Sequence, residues 1–167
     1  MKNQYRVTKY DPSLREATGA YTSCDWTSRS DIGRVFDGGM LSEEVYLKVE
    51  NSYLSAMKSF LDEAGIESLE LKGLECRDTP ADSSLHEGNL TIAQSLDFAR
   101  LALREEAWRK LVVPGKAYVH FGYDYYMYIG VPSKCDRSIA IARDRGLFVE
   151  RVRSPYLRQQ PFREVTR

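Results

Sequence analysis

Between Ser42 and Gly65 the apolar residues Val45, Tyr46, Val49, Tyr53, Met57, Phe60 and Leu61 recur three or four positions apart. At about 100° per residue they share one broad arc, with Leu47 and Leu54 on its edge and Lys48, Ser52, Ser55 and Ser59 opposite. Ser42 is a good N-cap, Glu43 and Glu44 suit the positive end of a helix dipole, and Gly65 suits a left-handed stop. The spacing predicts a helix of twenty-odd residues, about 30 Å long and so as wide as a small domain. This is the scaffold helix of the chain. Glu50 breaks its pattern, falling inside the apolar arc between the directions of Met57 and Leu61. A lone buried carboxylate is costly, so Glu50 is expected to meet an arginine or a tyrosine hydroxyl, or to mark a site.

The rest of the chain reads as elements to pack on that helix. Residues 4–10 alternate with β-favouring types and predict a first strand, broken at Asp11-Pro12. A polar stretch leads to Cys24, and a short helical turn is expected over Ser30–Phe36, closed by Gly38-Gly39. Residues 68–74 alternate Leu69 and Leu71 with acids, a second strand. Glu75–Asn89 is a polar loop of about fifteen residues, long enough to be either mobile or functional. Thr91 and Gln94 have capping-box spacing and open a helix with Ile92, Leu96, Ala99 and Leu103 on one stripe, reaching towards Trp108. After the Pro114-Gly115 turn, residues 117–131 are β by composition, with strands expected near 117–122 and 125–131. The tip Tyr123-Asp124 is not a preferred two-residue turn, so a bulge or a wider loop stays open. Ser133 and Asp136 open a fourth helix through Ile139 and Ala142, ended by Gly146, and residues 147–152 form a last strand.

These elements predict an α/β fold of the α+β type. A mixed or mainly antiparallel central sheet of about five strands carries a β-hairpin in its C-terminal half, with about four helices packed on it. The 167 residues fit one domain, drawn here over 1–152, with 153–167 a basic, proline-broken tail.

The search for chemistry returns little. The sequence has no phosphate-cradling glycine loop, no nucleophile elbow and no zinc-ligand spacing, so no catalytic residue, metal or cofactor is assigned. It holds two histidines. His86 lies in the polar loop, read as surface. His120 is near Asp124, and an enzyme reading would gather Glu50, His120, Asp124 and nearby tyrosines in one cleft; a sheet histidine bonded to a tyrosine is the plainer expectation. With a two-residue tip, Val119 and Phe121 would share a face with Tyr126 and Tyr128, opposite Tyr118, His120, Met127 and Ile129. Tyr123 and Tyr125 are then the rings expected to be exposed. Trp26, ahead of Ser28, Ser30 and Asp31, reads as an anchored loop-to-helix entry or as a residue offered to a partner.

Aromatic strands also suggest RNA, but the pI near 6.7 argues against a dedicated nucleic-acid binder. No apolar run approaches the length that crosses a bilayer, the start MKNQYRVTKYDPS lacks the apolar core of a signal peptide, and Cys24, Cys76 and Cys135 are odd in number and far apart. The expectation is a cytoplasmic protein with reduced thiols and no membrane contact. Net charge is zero, yet residues 36–90 carry −8 and residues 91–167 carry +6. Such asymmetry can steer an oppositely charged partner.

The runs DWTSRSDIGRVFDG (25–38), LSEEVYLKVENSYLSA (41–56) and YVHFGYDYYMYIG (118–130) are similar to a group of small bacterial proteins. That group resembles the cytosolic immunity proteins of polymorphic-toxin and contact-dependent growth inhibition systems, over about residues 4 to 155. The resemblance implies an antitoxin-like inhibitor that binds a cognate toxin domain, often a basic nuclease, and covers its active site or substrate path. It brings no catalytic residues. The partner-binding residues expected from the sequence are Glu43, Glu44, Asp62 and Glu63, with Trp26, Tyr123, Asp124 and Tyr125 as anchors. No direct nucleic-acid contact is expected, and the oligomeric state is left open.

Overall fold

Seven antiparallel strands make the frame, in the order β5-β4-β6-β7-β8-β1-β9. The computed structural model describes residues 3–75 and 88–158, and within them the elements run β1 (Asn3–Thr8), β2 (Val35–Phe36), β3 (Gly39–Met40), α1 (Glu43–Glu63), β4 (Ser68–Glu75), β5 (Gly88–Thr91), α2 (Ile92–Leu103), β6 (Trp108–Val113), β7 (Ala117–Phe121), β8 (Met127–Val131), α3 (Asp136–Asp144) and β9 (Phe148–Glu150). β2 and β3 form a small hairpin of their own, here called the arm.

The α+β class holds, with seven strands in the sheet instead of about five and three α-helices instead of about four among the described residues. The differences have local causes. α2 stops at Leu103, with Arg104 as C-cap and Glu105 at φ 61°, so the stretch read as reaching Trp108 turns and becomes β6. β5 has four residues, too few for a periodic signal. The turn expected over Ser30–Phe36 is a 3-10 turn at Arg29–Asp31 followed by the arm. The capping signals of α1 and α2 work as read, whereas α3, expected to open at Ser133 and Asp136, has Cys135 as N-cap and no side-chain cap from that residue. Ser42 Oγ accepts from Val45 N, and Thr91 and Gln94 close a capping box. The polar loop expected over 75–89, with His86, lies mostly outside the described residues.

One face of the sheet packs on the helices. Tyr5, Val7, Leu69, Leu71, Leu111, Val119, Met127 and Ile129 join Tyr53, Met57, Phe60, Phe98 and Leu103 in one core, where Tyr5 and Phe60 rings lie 5.3 Å apart. The expected division of hairpin faces is corrected. His120 pairs with Tyr128 and Phe121 with Met127, so Val119 and Phe121 share their face with Met127 and Ile129, while Tyr118, His120 and Tyr128 point the other way. The cause is the tip. Gly122 N donates to Tyr126 O at 2.9 Å, giving a three-residue loop, and one residue of slip exchanges the faces of a strand.

Over β7 and β8 the back face is covered by chain, not solvent. Tyr118 stacks on His120 at 4.4 Å and lies over Gly130, where any Cβ would overlap the ring. The segment expected to begin a surface tail at 153 instead packs on this face at Ser154 and Tyr156. Ser154 is buried and its Oγ is 2.8 Å from His120 Nδ1, and Lys110 Nζ donates to Tyr156 O at 2.9 Å. Its remainder, 159–167, lies outside the described residues. Gly130→Ala is expected to cost about 1–3 kcal/mol by overpacking against Tyr118, read as a lower urea midpoint with an unchanged slope.

Candidate functional site

Six of the partner-binding residues expected from sequence, Trp26, Glu43, Glu44, Tyr123, Asp124 and Tyr125, lie at one end of the molecule, on the loop 24–34, the first turn of α1 and the β7–β8 tip. Tyr46 and Tyr53, two turns apart on α1, face inward by helical spacing. Trp26 comes in from the loop and Tyr125 from the tip. Their rings form a box: Trp26–Tyr125 5.0 Å, Tyr53–Tyr125 5.2 Å, Trp26–Tyr46 5.5 Å and Tyr46–Tyr125 6.0 Å. Trp26 is 6% and Tyr125 4% exposed, so neither is the exposed anchor expected. Tyr125 is turned in because it sits at φ 63°, after Asp124 at φ 60°. A bulky residue in that region is strained, and Tyr53 holds it by donating from Oη to Tyr125 O at 2.7 Å while accepting from Lys9 N at 2.7 Å.

Two charges are set into this box. Lys9 Nζ lies 4.0 Å from the Tyr10 ring centre and 4.1 Å from that of Trp26, and is 2.5 Å from Asp25 Oδ2. Burial pulls its pKa down to about 8, against the pull of Asp25 the other way. Glu50, 1% exposed, accepts from Arg104 Nε and Nη2 at 2.6 and 2.9 Å and from Tyr46 Oη at 3.3 Å. Arg100 Nε stands 3.6 Å away. Both kinds of partner expected for this carboxylate are present. Arg104, hydrogen-bonded to Glu50, is held further above its ordinary pKa, against the opposing effect of burial. Beside it, Arg29, Ser30, Ile32 and Arg104 line a depression of about 400 Å³.

The remaining expected site residues divide between this end and the far end of α1. Glu43 and Glu44 are exposed on the first turn of α1, and Tyr123 and Asp124 are exposed at the tip. Asp62 and Glu63 lie at the other end of α1, about 28 Å away along the helix. Asp62 pairs with Lys58 at 2.5 Å. Glu63 is turned to structure, accepting from Ser138 N and Oγ and from Arg137 N at the start of α3. Burial alone would raise its pKa, but these bonds outweigh it and lower it.

Glu50 and His120 lie on opposite sides of the sheet, so they share no cleft with Asp124. His120 is closed in by Tyr118, Tyr128, Ser154 and Tyr156, and burial, then Lys110, lowers its pKa to about 4. Among the described residues no three His, Cys, Asp or Glu side chains gather as metal ligands, and no helix is long and apolar enough to cross a membrane. Sequence reasoning missed Val35 and Met40, cross-strand partners on the arm, because the arm was read as a helical turn. No family model, no curated protein and no solved structure matches the chain.

Arg104→Met strands Glu50 in the core and is expected to cost about 3–5 kcal/mol in chemical denaturation. Arg104→Met with Glu50→Leu should recover most of that loss. His120 binds its proton less tightly folded than unfolded, so stability falls as pH drops from about 6.5 to about 4, by up to about 3 kcal/mol. Denaturation midpoints across that range should flatten in His120→Gln.

Proposed function

We propose that this chain is a protein-binding inhibitor of the immunity type, which neutralises a cognate toxin domain by covering its active site or substrate path. The observation that carries this reading is a set of exposed acids with no cationic partner inside the fold. Asp37, Glu43, Glu44 and Asp124 are exposed at one end of the molecule, and none is in an ion pair among the described residues. Exposed carboxylates without an internal counter-charge are available to a cationic partner. A nuclease is cationic because it must hold a phosphate backbone, so it is the toxin class such a surface suits. A cytoplasmic setting, where a toxic nuclease meets its substrate, accords with the same reading.

The direct test is co-expression with the open reading frame immediately upstream of the gene. That frame is expected to be toxic alone and harmless with this chain; an innocuous product sinks the reading. In the purified pair, raising salt from about 50 to 500 mM should slow association about tenfold or more while changing dissociation far less, because rim charges act mainly on the encounter. Stopped-flow association rates read this directly.

A further inference from the structure

Five large hydrophobic residues stand exposed among the described residues: Val35 76%, Met40 65%, Val45 47%, Tyr123 69% and Leu14 43%. The first four are confined to the arm, the opening turn of α1 and the β7–β8 tip. The ring box ties these three segments into one body, since Tyr125 of the tip packs on Tyr46 of α1 and on Trp26, while Cys24, two residues before Trp26, donates from its amide to Asp37 of the arm at 2.7 Å. Val35 and Met40 are register partners, so their side chains stand side by side on one face of the arm. The arm also carries its fixing contacts at its base, where Gly33 N donates to Leu41 O and Leu41 N to Arg34 O. Singly scattered exposed apolar residues need no explanation, whereas a group of them with a charged rim does.

The unpaired charge on these three segments has one sign. Asp37, Glu43, Glu44 and Asp124 are exposed on the arm, the opening turn of α1 and the tip, while the bases nearest them in sequence are paired or lie elsewhere. Arg34 pairs with Asp31 at 2.6 Å, and Arg29 faces Glu106 at 3.7 Å. Lys48 lines a separate depression with Asp144 and Arg145 beside α3.

We infer that this end of the molecule is the docking surface, with Val35, Met40, Val45 and Tyr123 as its apolar centre, and that its occupant is a basic protein domain. The inference rests on the binding reading above and deepens it. Apolar and aromatic side chains at the middle of an interface carry most of its energy, and surrounding charges set orientation and encounter rate. Met40 adapts its shape to the surface it meets, and Tyr123 offers an apolar ring with a polar end. The far end of α1, with Asp62 and Glu63, takes no part.

Two measurements test it. Val35→Glu with Met40→Glu, and separately Glu43→Lys with Glu44→Lys, should each weaken binding of the upstream-encoded protein about thirty-fold or more while keeping wild-type circular dichroism. Asp62→Lys should leave affinity unchanged. In cells that encode the chain natively, a photo-crosslinking residue at 35, 40 or 123 should give an adduct with one basic protein, identified by mass spectrometry, and the same residue at 62 or 143 should not. Adducts confined to 62 or 143, an acidic adduct, or none at all would overturn the surface. Intact toxin neutralisation by both double variants sinks the surface and keeps the inhibitor reading. A harmless upstream product, with a different basic protein crosslinked at 35, 40 and 123, sinks the inhibitor reading and keeps the surface.

Discussion

Tyr125 holds a backbone conformation that tyrosine avoids, and much of the molecule is arranged around that fact. Consecutive left-handed residues, Asp124 at φ 60° and Tyr125 at φ 63°, widen the β7–β8 tip and set its register. Each costs on the order of 1 kcal/mol or more where no glycine relieves it. The Tyr53 hydroxyl bond to Tyr125 O and the ring box offset that cost. The register then decides which side chains meet the helices and which meet the back-face cover. Had the tip closed on two residues, Tyr128 would face the helices and Met127 would face Ser154 and Tyr156. The same tyrosine ring joins the tip to α1 and, through Trp26, to the loop below the arm.

This explains where the sequence was legible. α1 could be read in full, with its cap and stop, because 21 residues of amphipathic periodicity leave few alternatives. The kind of partner Glu50 needed could also be read, since electrostatics demands it whatever the fold. Which arginine would serve could not, as Arg104 is 54 positions away in sequence. The hairpin's existence was plain from composition, yet its facing depended on a single residue of loop length that no periodicity encodes. Trp26 and Tyr125 misled for a related reason. Aromatic residues beside turns look exposed until a second and a third ring are known to meet them.

The acidic middle of the chain also divides on inspection. Glu50 neutralises arginine in the core, Glu63 caps the start of α3, and Asp62 pairs along its own helix. Of the other described acids in that stretch, Asp37, Glu43, Glu44 and Glu67 are exposed and outside the ion pairs, three of the four at the arm and the first turn of α1. A count of charge along a sequence therefore overstates the field of the folded protein and misses its direction. The direction is the part a partner senses.

The arm, two short strands of two residues each, has a consequence of its own. Val35 and Met40 stand clear of the core, so replacing them changes little in folding free energy, in keeping with substitutions at exposed positions. Gly33, Leu41 and the ring box hold the backbone in place regardless. On the proposed reading, instructions for folding and instructions for recognition are written on different residues. A lineage of such chains could then turn over what it binds while its architecture stays still.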